Sequence, residues 1–512
     1  MHIFNPILWL LALLATHSAM AAEFYLEVDR KAVDITGKPA EGVAINGEIP
    51  GPVLRMKEGE EVVIHVRNKM DVDTSLHWHG LILPSGMDGV PSLSFAGIKP
   101  GESFTYRFTP SQSGTYWYHS HSGFQEQSGA FGAIIIEPKD ADPVVFDREY
   151  TVLFSDWTDE NPDDVLRHLK AQSDYYKKPK RTLADLLDEL TNASSAERSS
   201  IVAERMAFAR MRMDPTDISD VTGYSFLMNG QTAEKNWTAL FRPGERIRLR
   251  LINAGAASYF DVAIPGLNLQ VVAADGQNIQ PINVDRLPMA IAETYDVIVS
   301  PTEEKPFTIF AQARDRSGYA RGTLSPQLGL SAPVPQMDAR QTLSMAEVMQ
   351  GRMMQGKTDH GMASRHEQQA IGHDADGPVI LTYADLKSRV PTDGDVTREI
   401  TLRLTGNMNR YFWSFDDVQY AMAEPIRFEF GERVRVKLVN ETMMSHPIHL
   451  HGMWQVLQNG QKRFAPKKHT IDVPPRQTVV VEVPVDNRGH WAFHCHILYH
   501  MATGMFREVE VK

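Results

Sequence analysis

The sequence predicts an all-β protein of three related Greek-key sandwich domains, with a helical insertion in the second. One observation is a threefold repeat: Gly-Glu, a run of alternating apolar residues, then Asn. The copies are Gly59-Glu60 to Asn68 (GEEVVIHVRN), Gly244-Glu245 to Asn253 (GERIRLRLIN) and Gly431-Glu432 to Asn440 (GERVRVKLVN), about 185 residues apart. Strict alternation marks a half-buried strand, because successive side chains point to opposite faces. The other observation is the punctuation of many short apolar runs by 35 Gly and 30 Pro, the turn pattern of sandwiches rather than helical bundles.

In chain order, residues 22–140 form the first domain, 141–335 the second and 395–512 the third, with a Met- and His-containing linker at 336–394. The charged stretch of about 159–214, containing Leu183-Ala184-Asp185-Leu186-Leu187, is the helical insertion, and its simplest reading is a solvated cover. Ahead of the domains, Ile7 to Ala15 is apolar, Ala19-Met20-Ala21 is a small-x-small cleavage pattern, and no acid precedes Glu23. Residues 1–21 therefore read as a signal peptide cleaved near Ala21, the apolar run being too short to span a bilayer. The first five residues lack Lys and Arg, which leaves a retained N-terminal anchor as the alternative. Without a twin-arginine pair the implied route is Sec, with metal acquired outside the cytoplasm and no stable membrane insertion after cleavage.

Composition narrows the chemistry. A length of 512 residues suits about three domains. A net charge of -12 with no long Lys/Arg run argues against nucleic-acid binding. The single Cys excludes an intrachain disulfide and multi-cysteine zinc or iron–sulfur sites. Against it stand 19 His and 23 Met, imidazole and thioether ligands suited to copper.

The repeat register places these ligands. Nine and eleven residues after the repeat Asn stand His77 and His79 in the first copy and His449 and His451 in the third, but Val262 and Ile264 in the second. Five and seven residues after Gly114 stand His119 and His121; after Gly489, His494 and His496. Ser120 separates the first of these pairs, and Cys495, the only cysteine, the second. On a strand, i and i+2 share a face. Four His-x-His pairs thus offer eight imidazoles that converge if the outer domains abut, while Cys495 points away yet stays joined to them through both neighbours. For its own partners the sequence offers His446, His500 and Met505, and two His, a Cys thiolate and an axial Met make a blue-copper electron-transfer site.

His77-Trp78-His79-Gly80, His119-Ser120-His121, His446-Pro447-Ile448-His449-Leu450-His451-Gly452 and His494-Cys495-His496-x3-His500-x4-Met505 together resemble the four motifs of multicopper oxidases. The resemblance covers most of the mature chain and implies three cupredoxin-like domains and four copper ions. By motif, His446, Cys495, His500 and Met505 would hold a type 1 copper, and His77 and His449 a type 2 copper. His79, His119 and His496 would hold one type 3 copper, and His121, His451 and His494 the other. The implied reaction takes single electrons from a donor at type 1, passes them through Cys495 and its flanking histidines, and reduces O₂ to water. Asp88, in Met87-Asp88-Gly89, matches an acid near type 2 in relatives and is a catalytic candidate for proton supply; an ordinary Asp-Gly turn is its other reading. The acid that laccase-like relatives carry after the type 1 histidine is replaced by Met501.

The stretches Ser113 to Gln127, including Gly123-Phe124-Gln125-Glu126-Gln127, and His494 to Met501 are more specific: both are similar to the bacterial copper-resistance protein A family. That likeness implies a periplasmic oxidase of Cu(I), or of a small phenol, serving copper tolerance. The chain departs from the family in lacking its Met/His-rich repeats and twin-arginine signal. Only Met345, Met349, Met353, Met354 and Met362, with nearby His, offer a possible substrate-copper segment. Met345, Met349 and Met353 also have the spacing of a helix face packed on a core, so both readings stand. The rivals are a laccase with an organic donor and a copper-sequestering protein with incidental turnover. A two-domain nitrite reductase is disfavoured by the third domain and the full histidine set.

Overall fold

The computed structural model describes residues 21–177, 182–211, 218–340, 377–408 and 410–512. Among them, six sheets pair into three sandwiches. Each repeat strand lies inside the first sheet of its domain. Val62–Asn68, Ile247–Asn253 and Arg433–Asn440 pair in parallel with the opening strands Ala22–Asp34, Arg148–Trp157 and Arg398–Asn407. On their other side they pair antiparallel with Ser103–Phe108, Thr294–Val299 and Thr478–Pro484.

The Asn that closes each repeat ties together the turn leaving the strand. Asn68, Asn253 and Asn440 are fully buried. Asn440 donates to Met444 O at 2.7 Å and Val473 O at 2.8 Å, and accepts from Thr442 N–H at 2.8 Å. Asn253 donates to Ser258 O and Ala290 O, each at 3.0 Å, and accepts from Gly255 N–H at 3.0 Å. Because Arg433–Asn440 and Thr470–Val473 belong to opposite sheets, the Asn440 side chain pins one sheet to the other. The chain then enters the second sheet as His77–His79, Phe260–Ala263 or His446–Leu450. The same sequence signal thus sets the register of the ligand-bearing strands. Asn253→Ala would leave several buried groups unpaired and should cost on the order of 3 kcal/mol. A lowered urea midpoint with unchanged metal content is the expected result, and an unmoved midpoint would remove Asn253 from this role.

The alternation expected of a half-buried strand holds in Arg433–Asn440, whose residues alternate between half-buried and buried. It fails in Ile247–Asn253, which is buried throughout. Its polar face is met by carboxylates of its own domain and by Thr115 of the first domain. Arg248 pairs with Asp296 and, at 2.6 Å, with Asp142, while Arg250 donates to Glu149 at 2.9 Å and to Thr115 Oγ1 at 2.9 Å. Thr115 in turn donates to Asp296 at 2.6 Å and lies on Gly114–His119, the strand that ends in a candidate ligand. Buried charges are tolerated because each is paired. The middle domain therefore braces the ligand strand of the first.

The insertion forms α1 (Pro162–Ala171), α2 (Leu183–Asn192) and α3 (Ser195–Met211). Asn161 caps α1 by accepting from Asp163 N–H at 2.9 Å, and Pro162 opens its first turn, where no N–H is needed. Val165 and Leu169 of α1 pack into the large apolar core that runs through the second and third domains and reaches Trp117 and Phe131 of the first. Helix α2 carries a Thr182/Asp185 capping box and buries no residue. Where it is described, the linker is strapped down: Asp338 pairs with Arg286, Leu386 is buried, and Asn459 donates to Tyr383 O at 2.7 Å and Leu386 O at 2.8 Å.

Candidate metal centres

Two pairs of short antiparallel strands carry the histidines. His77 stands opposite His119 in the first domain, and His449 opposite His494 in the third. The outer domains meet there. The His77 ring stacks on His451 at 3.8 Å between centroids, and the His79 ring on His449 at 3.7 Å. In the middle domain, Val262 and Ile264 occupy the same register and are simply core.

Potential ligand atoms lie within 4.8 Å of one another in five sets: His77, His449 and His451; His79, His119 and His496; His79, His449 and His469; His121, His451 and His494; and His446, Cys495 and His500. Every candidate histidine and Cys495 thus falls in a set. Met505 is fully buried, and its backbone N–H donates to His500 O at 3.0 Å while its carbonyl accepts from Cys495 N–H at 3.1 Å. Met345, Met349, Met353, Met354 and Met362 lie outside the described residues.

Hydrogen bonds decide which nitrogen of each ring is free, since a neutral imidazole has one N–H and one lone pair. In five rings of the interdomain group Nδ1 faces an oxygen, whereas His79 is buried with no partner at either nitrogen. His77 Nδ1 donates to Asp88 O at 2.8 Å, His449 to His469 O at 2.6 Å, and His494 to Cys495 O at 3.0 Å. His119 Nδ1 faces Glu126 Oε2 at 2.7 Å, and His451 Nδ1 faces Asp88 Oδ2 at 2.8 Å. That leaves Nε2 for a metal, and Nε2 of His77, His119, His121, His449 and His496 is buried without a partner. The Nε2 atoms of His451 and His494 face each other at 3.0 Å.

Around Cys495 the choice is reversed. Thr442 Oγ1 lies 2.7 Å from His446 Nε2, and Asp220 Oδ2 lies 2.7 Å from His500 Nε2. Their Nδ1 atoms stand 3.2 Å apart and 3.6 and 3.7 Å from Cys495 Sγ. Trp413 stacks on His500 at 3.9 Å.

Burial keeps these groups ready to ligate. It pushes His79, His119, His121, His446, His449, His451 and His496 well below the ordinary imidazole range, with neighbouring imidazoles adding to the effect in each case, and His494 down to about 3. These rings are therefore neutral, with lone pairs available. Burial also raises the Cys495 thiol, so binding a metal there must expel its proton. Orphaned buried nitrogens, facing lone pairs and a thiol between two imidazoles beside a buried Met fit copper.

Three carboxylates complete the site. Asp88 is fully buried; its turn, with Gly89 at φ +85, and its contact with His451 coexist. Glu126 and Asp220 are not among the residues that the sequence motifs mark. Glu126 follows His121 within Gly123-Phe124-Gln125-Glu126-Gln127, so its nearness to a histidine pair was a usable signal; burial raises its carboxyl well above the usual range. Asp220 also accepts from Tyr411 O–H at 2.7 Å, and nothing in its local sequence marks it. Met501 packs beside Val90, Ala492 and Phe506.

Fold and site together define a copper oxidase built on cupredoxin-like domains. Three family models described as multicopper oxidase match residues 27–141, 148–327 and 393–512, and the chain belongs to that family. Within it, the chain is 44% identical to copper resistance protein A of Escherichia coli, over 98% of this chain and 94% of that protein. It is 45% identical to copper resistance protein A of Pseudomonas syringae pv. tomato, over 96% and 92%. Among solved structures, a laccase from Botrytis aclada matches with a TM-score of 0.72 at 21% identity, covering 96% of this chain and 87% of that one. Fet3p, described as a multicopper oxidase that functions in iron import, matches with a TM-score of 0.71 at 20% identity, covering 96% and 90%. Among the described residues, no helix is long and apolar enough to cross a membrane.

Proposed function

We propose that this multicopper oxidase couples one-electron oxidation of a reducing substrate, Cu(I) or a small phenol, to four-electron reduction of O₂ to water in the periplasm, in the service of copper tolerance. The observation that carries the reading is Cys495, buried beside His446 and His500 while its sequence neighbours His494 and His496 belong to two different interdomain sets. Storage alone needs no such thiolate link. His446, Cys495, His500 and Met505 are assigned to type 1, His77 and His449 to type 2, and His79, His119, His496, His121, His451 and His494 to the type 3 pair. Bound copper supplies the one-electron chemistry, accepting single electrons from the donor and delivering four of them to O₂.

The protein's own residues do the rest. Cys495 and its two neighbours provide a covalent route between the centres. Asp88 orients His451 through Oδ2, and its Oδ1, buried without a partner, is the atom assigned to carry protons. Asp220 accepts an N–H from His500 so that the opposite nitrogen faces its metal, while His119 Nδ1 donates to Ser120 O with Glu126 Oε2 at 2.7 Å beside it. Identity to copper resistance proteins and the signal-like residues 1–21 support export and copper tolerance.

The choice of donor rests on the methionines. Thioethers prefer Cu(I) over a phenol. Replacing Met345, Met349, Met353, Met354 and Met362 with Leu keeps bulk and apolarity. If they dock Cu(I), kcat/KM for Cu(I) should fall roughly 10-fold, the effect of losing about 1.4 kcal/mol of binding, while phenol oxidation holds or improves. Equal changes for both substrates, tracking thermal stability, would assign these residues to packing.

A further inference from the structure

A cleft of about 370 Å³ opens where the second domain, the linker and the third domain meet, a size that small molecules occupy. Pro143, Gln277 and Asn278 of the second domain line one part of it, Arg389 of the linker and Lys467 of the third domain another. Gln277 Nε2 donates to Tyr116 OH at 3.2 Å, which ties the cleft to the first domain. The backbone around the two cations is laced together. Gln280 N–H donates to Lys387 O at 2.7 Å, Ser388 N–H to Phe464 O at 2.8 Å and Thr392 N–H to Arg463 O at 2.7 Å. Lys467 is half-buried, with its ammonium 5.6 Å from the Trp454 ring centre. Lys387 and Arg463 each stand 5.5 Å from the ring centre of Phe464.

These cations lack the partners that the chain could have given them. Acids are in excess, 64 Asp+Glu for 52 Lys+Arg, and nearby Arg433 is met by Glu482 at 2.8 Å. Among the described residues, however, no carboxylate pairs with Lys387, Arg389, Arg463 or Lys467. Asp385, close to two of them in sequence, instead accepts from Thr382 N–H at 2.8 Å and Thr382 O–H at 2.7 Å. Asp486 influences Lys467 without pairing with it. The half-buried Asn278 side chain likewise has no hydrogen-bond partner among the described residues. Four like charges on a fixed frame repel one another unless an anion offsets them. A planar guanidinium, an ammonium and an amide are a donor set suited to an oxyanion.

We propose that this cleft binds a small oxyanion carrying two or more negative charges, of the phosphate or polycarboxylate kind, held by Arg389, Lys467 and Asn278. The site shares no residue with the sets of potential metal ligands and does not rest on the copper assignment. An anion seated there contacts both domains and the linker at once, so it fastens the linker and the third domain to the second.

The test is calorimetric titration of the holoenzyme with inorganic phosphate and with tricarballylate, at fixed ionic strength in sodium chloride, with Tm followed in parallel. One site per chain with a Kd below roughly 1 mM for at least one probe is expected, and a Tm that rises with its concentration. Replacing both cations, Arg389→Gln with Lys467→Gln, should weaken binding at least roughly 10-fold. Copper content and the type 2 electron paramagnetic resonance signal should stay as in the wild type, and the anion-free Tm should be no lower. Arg389→Gln alone, at an exposed position, should weaken binding in the same direction if the double variant does not fold. No binding of either probe to the wild type would overturn the proposal. Equal binding to wild type and variants would also overturn it, a shifted type 2 signal then placing the anion on copper. Capture by phosphatidylglycerol vesicles without binding of the free anions would overturn it too, and make the patch a membrane-facing surface.

Discussion

Cys495→Ser should erase both the blue thiolate-to-copper absorption and oxidase activity, while leaving the interdomain coppers in place. Serine nearly matches cysteine in shape, and the site is fully buried, so the fold has little reason to change. The donor chemistry does change, because a hydroxyl is a hard and weakly acidic group where a soft thiolate is needed. His446 and His500 keep their Nδ1 atoms turned inward, since Thr442 and Asp220 still hold the other nitrogen. The His-x-His sets do not use Sγ and should load normally. Three coppers per chain, no blue band and no turnover are expected. A blue band of undiminished strength would show that Cys495 is not the thiolate ligand, and full activity without the band would show that electrons bypass it.

The next largest effect is expected at Asp88. Asp88→Ala removes the carboxylate that contacts His451 Nδ1 at 2.8 Å and approaches His77 Nδ1 at 3.4 Å. If that carboxylate carries protons during O₂ reduction, reoxidation of the reduced enzyme by O₂ should slow by roughly 100-fold, the lower end for losing a general acid–base group. Reduction by donor should continue at the wild-type rate, because Cys495, His446 and His500 are untouched. Asp88→Asn separates proton transfer from orientation: its carbonyl oxygen can still accept from His451, but an amide carries no exchangeable acid proton in this range. Equal slowing in Ala and Asn, at full copper loading, supports the proton role. Recovery in Asn would reduce Asp88 to holding His451, and unchanged reoxidation in both would return it to the turn it makes with Gly89.

Most of the clustered histidines are legible in the sequence because two periodicities coincide on them. Strand alternation puts i and i+2 on one face, and the repeat register fixes where the strand starts, so His77, His79, His449 and His451 could be located from Asn68 and Asn440. Groups that reach the site across domains lacked any such marker. Asp220 approaches His500 over 280 residues of chain, and Asp275 approaches His469 over 194. Neither separation leaves a local pattern. His469 itself stands alone in Lys468-His469-Thr470, without the i+2 partner that marks the other interdomain histidines. The burial of Ile247–Asn253 on both faces was equally invisible, because its Arg248 and Arg250 read as solvent-facing until their partners in Asp142, Asp296 and Thr115 are known.

In the proposed reaction, single electrons are gathered and delivered to O₂ together. The direct measurement is the stoichiometry of O₂ uptake during steady oxidation of Cu(I), with a phenol as the comparison donor and hydrogen peroxide assayed in parallel. Four electrons consumed per O₂ with no peroxide from either donor, the two differing only in rate, is the expected result. Two electrons per O₂ with matching release of peroxide, or copper uptake without O₂ consumption, would contradict it.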